Sequence, residues 1–370
     1  MVLRDLLNLI HCRLQQIKKP TKSNSIFGNI SILAVGDFYQ IPPVHGKSLI
    51  SVNNSLTDLW SLFYIFNLTE VIRQKGDADF SEMLNRLRNK PKDQDMDIDD
   101  LNSLHSRLLS SDSPEYPHEV LHIAATHKQL DVINTEHLNQ LTETNHFVIQ
   151  AVDICHDKKT QKSFKRNEPL ICNNATLLPN LQLCIGAKVM LNHNLDVSDG
   201  LTNGVIGTVT AGITGQMKLG LPTAVCVLFD HNNIGSKSRQ KHRPPLGVHP
   251  MSTVIKSHTE IIQKTPLQVT RYQFPFILAW AVTIHKTGLP TDKAIVSLKG
   301  IFKPGMAYVA LSRVTTKQGL FLLDSDFDTS VIYCDPKVSN SWTTCPEQKL
   351  CLRGNLCILL MKYNQTHITF

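Results

Sequence analysis

Leu3, Leu6, Leu7, Ile10, Leu14 and Ile17 recur at helical spacing from the start of the chain, and Pro20 stops the run. Residues 1–19 therefore read as one amphipathic helix. A polar loop over 21–29 follows. The pattern then changes to a continuous apolar run over 30–35 that breaks into Gly36-Asp37, with Gln40 and Pro42-Pro43 behind it. Such a run, bounded by Gly and Pro, predicts a buried parallel strand. Ligands bind at the carboxyl ends of such strands in open α/β sheets. Asp37 and Gln40 are thus candidates for chemistry, although Gly-Asp is equally the makeup of an ordinary strand-ending turn.

Leu56, Leu59, Trp60 and Phe63 predict a short apolar helix over 56–66, and 66–74 a strand with Glu70, Arg73 and Gln74 at its exit. An Arg there either pairs with an acid or clamps a phosphate, which the guanidinium fork suits. Phe80, Met83, Leu84 and Leu87 predict an amphipathic helix. Residues 89–100, rich in Lys and Asp, read as a solvated linker. The strand expected over 120–126 opens into a helix carrying Val132, Ile133, Leu138 and Leu141. Thr126, His127 and Asn134 then stand at a strand-to-helix crossing. Groups so placed bind phosphate or backbone, or cap the helix, the simpler role for Thr126.

From 151 to 265 the strands become short, at 186–191, 205–209, 225–230 and 251–255, with more Gly, Pro and β-branched residues. This predicts a small β-barrel or sandwich inserted into an α/β frame. Within it, 235–247 holds Lys237, Arg239, Lys241 and Arg243 and reads as a basic flexible loop, either solvated or touching nucleic acid. The α/β pattern returns at 279–288, with a strand over 293–298, a helix over 306–313 that ends in Arg313, and a strand over 319–323. Beyond Asp328 there is no periodicity.

Composition narrows the classes. The 370 residues, 42% of them hydrophobic, suffice for two or three domains with real cores. A net charge of +7 permits polyanion binding without requiring it. The nine Cys include no C-x-x-C pair, which fits free thiols in a reducing compartment. The clustered Cys334, Cys345, Cys351 and Cys357 match no standard zinc spacing, so no metal site is assigned. No apolar run reaches the ~18 residues of a membrane span, and no signal peptide is visible. His45-Gly-Lys-Ser48 resembles the end of a phosphate loop, but position 41 is Ile where a Gly is needed, and it follows Pro-Pro.

Five stretches in order resemble the PIF-family DNA helicases of superfamily 1, including those carried by Helitron transposons. Val35-Gly-Asp-Phe-Tyr-Gln-Ile-Pro-Pro-Val44 resembles the third helicase motif and Leu68-Thr-Glu-Val-Ile-Arg-Gln74 the fourth. Gly186-Ala-Lys-Val-Met-Leu191, with Gly200-Leu-Thr-Asn-Gly-Val-Ile-Gly207, is similar to the inserted β domain. Leu278-Ala-Trp-Ala-Val-Thr-Ile-His-Lys286 resembles the fifth motif and Tyr308-Val-Ala-Leu-Ser-Arg313 the sixth.

The resemblance implies a RecA-like P-loop NTPase core: a partial first domain over 1–67, a second RecA-like domain over 68–150 and 266–328, an inserted SH3-like β domain over 151–265, and an unassigned tail over 329–370. It implies ATP and Mg²⁺ as cofactors, single-stranded and forked or structured DNA as partners, and no membrane. It implies 5′→3′ travel coupled to ATP hydrolysis, in DNA repair, recombination and telomere maintenance, in the nucleus or mitochondrion. By the same resemblance Asp37 and Gln40 sense the γ-phosphate, with Gly36 and Gln74 beside the nucleotide. Arg73 and Arg313 act as arginine fingers. Thr126, His127 and Asn134 touch DNA, and His285 and Lys286 link the DNA track to the nucleotide cleft. The family's Gly-rich first motif and the acidic pair of its second are expected ahead of Met1, so the resemblance implies an N-terminally truncated helicase in which neither the ATP nor the Mg²⁺ site is complete and which hydrolyses no ATP alone. A family Gln is missing between Thr287 and Gly288, Pro290 adds a rigid turn, and Met306 stands where Gln is usual. The alternative reading is a non-enzymatic single-stranded DNA binder, the remnant of a mobile-element helicase.

Overall fold

The computed structural model describes residues 4–19, 25–41, 49, 59–67, 71–141, 146–172, 175–213, 220–263, 265, 267–286, 290–336, 338 and 357–361. Its α-helices are α1 (Arg4–Lys18), α2 (Ala78–Asn89), α3 (Ile98–His105), α4 (His127–Gln140), α5 (Ser236–Lys241) and α6 (Met306–Leu311). The chain divides into one unit of residues 1–117 and 290–370 and another of residues 118–289. Among the described residues no helix is long and apolar enough to cross a membrane. The predicted Pro42-Pro43 turn, the 45–48 loop, Glu70 and the Thr287–Gly288 gap lie outside the described residues.

In the first unit, α1 buries Leu7 and packs Ile10 and Leu14 against Phe27, Leu59 and Phe63, while Leu6 and Ile17 face solvent. The strand Ile32–Gly36 turns Ile32 and Ala34 to this core and leaves Leu33 and Val35 exposed. It pairs antiparallel with Cys357–Met361, which also pairs with Tyr64–Asn67. The expected buried parallel strand is thus corrected: α1 covers one face, and its described neighbour runs antiparallel. The helix expected over 56–66 is also corrected, to a 3₁₀ turn Leu59–Leu62 followed by the strand Tyr64–Asn67.

Helix α2 follows its apolar period, and Phe80, Met83, Leu84 and Leu87 are all buried. Asp77 caps it, accepting from the Phe80 N–H at 3.0 Å. The stretch after it is no mere solvated linker. Asp100, on α3, is buried and takes a two-pronged bond from Arg86 at 2.9 and 2.7 Å. A parallel sheet places Leu320–Leu323 between Ala294–Val296 and Leu108–Leu109. Every residue of α6 is buried. Within the stretch that the sequence leaves unassigned, Ile332, Cys334 and Val338 are buried.

In the second unit, strands Leu121–Ala124 and Ala281–Thr283 pair in parallel, and α4 follows the first of them. The remaining strands are antiparallel. One sheet of five runs Thr253–Ile255, Ala224–Phe229, Ile206–Ile213, Lys188–Leu191, Phe276–Leu278. Another of four runs His258–Gln263, Gln268–Gln273, Val152–His156, Ser163–Lys165. The β-rich part therefore runs on to Leu278, and a limit at 265 falls inside the hairpin of His258–Gln263 with Gln268–Gln273. At its centre the fully buried Arg271 binds Asp153 through both carboxylate oxygens at 2.8 Å. Arg271 also donates to the carbonyls of Leu177 and Leu170, and the Leu170 N–H donates to Asp153.

The basic stretch 235–247 is corrected from a flexible loop to a structure with α5 inside it. Buried Asp199 accepts from the Lys237 and Ser238 N–H groups at 2.7 and 2.9 Å, which fixes the first turn. Arg239 turns inward to the Ile234 carbonyl and the Thr253 hydroxyl.

Candidate functional site

The strand Ile32–Gly36 ends by delivering Asp37 into a turn. The Tyr39 N–H donates to Asp37 Oδ1 at 3.0 Å, and Gln40 Nε2 reaches Oδ2 at 3.4 Å. This is a local Asx turn, but the carboxylate is buried and has a remote partner. Arg88, in the last turn of α2, donates from Nη2 to Asp37 Oδ1 at 2.6 Å. The Arg88 guanidinium also lies over the Tyr39 ring, 4.5 Å from its centroid, and 6.0 Å from that of Tyr308 on α6. Gln40 itself is exposed. A Cβ built on Gly36 would meet no atom within 4 Å, so space is open beside the strand end.

Arg73 and Arg313 come together at the same place. Arg73 Nη1 donates to the Ser312 carbonyl at 3.0 Å. Arg313 Nε donates to the Val309 carbonyl at 3.0 Å, folding the side chain back on α6. Burial, then the like charge of Arg73, pushes Arg313 down to about 10. Arg73 is exposed as a residue, and partial desolvation lowers its pKa too. Burial raises the phenol of Tyr308, whose charged neighbours are Arg88, Asp37, Arg73 and Arg313. One buried tyrosine thus stands amid three arginines and an aspartate from four separate stretches of chain. Two neighbouring cations, Arg313 half-buried and Arg73 exposed, are stabilised by an arriving anion, and guanidinium geometry suits a phosphoryl oxygen.

Gln74, expected beside the nucleotide, carries a structural load here. It is buried, and its Nε2 donates to the Ser312 and Val314 carbonyls at 3.2 and 2.8 Å. The amide is committed to bracing the two residues that flank Arg313. Arg88, Tyr39 and Tyr308 were not singled out in the sequence. Arg88 follows Arg86 at the end of an amphipathic helix, where basic residues commonly sit in water and complement the helix dipole. Nothing in the local period separates the two.

The residues expected to meet DNA lie in the other unit. Thr126 caps α4: its hydroxyl bonds Gln129 Oε1 at 2.7 Å and accepts from the Gln129 N–H at 3.5 Å, and the Thr126 N–H bonds Gln129 Oε1 at 3.3 Å. His127 and Lys128 are exposed in the first turn of α4. Asn134, expected to touch DNA, has backbone partners instead of an open face. It is buried, and its amide holds the Ala281 backbone from both sides, Nδ2 to the carbonyl at 3.0 Å and Oδ1 from the N–H at 2.9 Å. With both ends of the amide used, it locks the parallel strand pair. His285 is exposed and Lys286 half-buried just after the strand Ala281–Thr283, and burial lowers the Lys286 pKa.

Among the described residues no group of three or more His, Cys, Asp or Glu side chains could hold a metal ion. Described Cys12, Cys155, Cys172, Cys184, Cys226 and Cys334 carry free thiols.

The family model "PIF1-like helicase" matches residues 1–96, and "DNA helicase Pif1, 2B domain" matches residues 173–211. The chain is 30% identical over 405 residues to the ATP-dependent DNA helicase PIF1 of Candida albicans, covering 87% of this chain and 42% of that protein. The chain thus spans about half the length of the curated relatives it matches. It superposes on the crystal structure of the Pif1 helicase from Candida albicans with a TM-score of 0.64 at 26% identity, over 93% of this chain and 73% of that one. It shares the fold of the Pif1 helicase from Bacteroides crystallised with ADP-AlF3 and single-stranded DNA, with a TM-score of 0.57 at 23% identity over 93% of this chain and 72% of that one. The α/β frame with its parallel sheet matches these likenesses, and the chain is similar to the PIF1-like helicases over most of its length.

Proposed function

We propose that this chain carries part of an ATP-driven DNA helicase that travels 5′→3′ on single-stranded DNA and opens forked or structured duplexes. The observation that carries the reading is the convergence of two guanidinium groups: Arg73 bonds the Ser312 carbonyl next to Arg313, and Arg313 folds back on the Val309 carbonyl beside the buried Tyr308. Such a place fits the phosphates of a nucleotide. ATP, when bound, supplies the phosphoryl group whose transfer to water drives movement. In this reading Arg73 and Arg313 neutralise charge on that group, Gln40 faces it, and Asp37 fixes the turn that presents Gln40. Gly36 leaves open space beside them. Mg²⁺ has no cluster of ligands among the described residues, and no step is derived through it.

The DNA track in this reading includes His127 and His285, both exposed, with Thr126 and Lys286 beside them. The antiparallel sheets serve as an inserted β-barrel domain resting on this track. By family resemblance the setting is DNA repair, recombination and telomere maintenance, in the nucleus or mitochondrion. The Bacteroides Pif1 helicase crystallised with ADP-AlF3 and single-stranded DNA together, which supports the pairing of the two ligands.

The test is binding of a fluorescent ATP analogue to the purified chain, with Arg73→Ala and Arg313→Ala. The reading expects affinity to fall at least tenfold in each, as for loss of one charge-assisted contact. Equal binding by all three proteins overturns it. A parallel titration with single-stranded DNA at two salt concentrations tests the track, because backbone contacts must weaken as salt rises. DNA binding with no nucleotide binding favours the non-enzymatic binder, which the exposed His127, Lys128 and His285 support.

A further inference from the structure

Arg88 lies outside every helicase motif that the sequence offers, yet it touches three residues of the site. Its side chain is 13% exposed, against 53% for Arg86 one half-turn earlier. Its guanidinium makes the 2.6 Å bond to Asp37, whose side chain is 2% exposed. The same carboxylate oxygen accepts from the Tyr39 N–H, and the other oxygen reaches Gln40 Nε2. The Arg88 cation is also set against two rings, Tyr39 from the turn and Tyr308 from α6. Two residues past α6 is Arg313.

We propose that Arg88 is a positioning residue of this site: it fixes the Asp37 turn, and through it Gln40, against Tyr308 on the helix that precedes Arg313. It sets the spacing between groups from residues 36–40 and groups from residues 306–313. The proposal rests on the functional reading of Asp37, Gln40 and Arg313 given above. A guanidinium is required, because it alone forms a directional charge-assisted bond while presenting a flat face to an aromatic ring. An ammonium supplies the charge without the plane.

The test uses the purified chain with ring-labelled tyrosine, followed by NMR at neutral pH, with signals assigned through Tyr39→Phe and Tyr308→Phe. Arg88→Gln, Arg88→Lys and Asp37→Asn are compared. The expected result is that Arg88→Gln shifts the ring signals of both Tyr39 and Tyr308, and that Arg88→Lys fails to restore them. Binding of the fluorescent ATP analogue falls about tenfold in both Arg88 variants. Ring signals unmoved by Arg88→Gln, or full recovery of rings and nucleotide affinity in Arg88→Lys, overturn the proposal. If Arg88→Gln does not fold, Asp37→Asn decides by the same ring signals, since it loosens the bond and leaves the guanidinium in place. If the wild-type chain binds no analogue while the rings respond as expected, the nucleotide reading fails and the link made by Arg88 stands.

Discussion

Gly305 meets the carbonyl oxygen of Tyr39 with no room for a side chain: a Cβ at 305 would stand 2.5 Å from that oxygen. The residue also has a φ of 77°, a conformation that glycine adopts freely and other residues do not. The start of α6 and the Asp37 turn can therefore approach only with Gly here. Gly305→Ala is expected to lower stability by about 2–4 kcal/mol through strain and overpacking. Gly36→Ala, where a Cβ meets nothing within 4 Å, is expected to stay within about 0.5 kcal/mol of wild type. Urea unfolding of the two variants checks the contrast, and equal losses contradict it.

Arg271 and Asp153 are both buried in the β-rich part. Arg271→Met should cost about 3–5 kcal/mol, because it strands a carboxylate away from water. Adding Asp153→Asn should recover part of that loss by removing the stranded charge. A double variant no more stable than Arg271→Met, measured by thermal melting, counts against the pair as the cause.

His122 is buried, and burial, followed by the charge of His137, lowers its pKa to about 4 from an ordinary 6.5. Folding therefore favours the neutral ring. The unfolded chain takes up a proton as pH falls through 6.5, and the folded chain resists until about 4. Stability is expected to decline across that window, by roughly 3 kcal/mol at most. Urea midpoints at a series of pH values should show a shallower decline in His122→Asn than in wild type, and parallel curves would exclude His122 as the source.

The basic residues around α5 should separate by role. Arg239→Ala is expected to destabilise, since its guanidinium ties the Ile234 carbonyl to the Thr253 hydroxyl. Lys241→Ala, at an exposed position, should leave stability unchanged. If this face meets single-stranded DNA, the second change reduces the dependence of log affinity on log salt by about 0.7. Filter binding at several salt concentrations, beside a melting curve, distinguishes the two effects.

Periodicity determined much of this protein without help. The four apolar positions of α2 all reached the core. The strand–turn–helix order around Thr126 and the short strands between 186 and 255 also appeared where the pattern put them. Those features depend on neighbours a few residues away, which a linear sequence carries directly. The same reasoning placed Asp37 at the end of a strand, but it gave that strand two covered faces, and the fold covers one.

The tertiary structure alone decided what each polar side chain does. Arg86 and Arg88 differ by one half-turn of helix, yet Arg86 pairs with Asp100 and Arg88 with Asp37. Gln74 and Asn134 looked available for ligands, and both are committed to backbone groups far along the chain, at residues 312–314 and at Ala281. Local period sets which face of an element is buried. A hydrogen-bond partner is chosen by whatever distant group the packing brings within about 3 Å, and no local pattern encodes that distance.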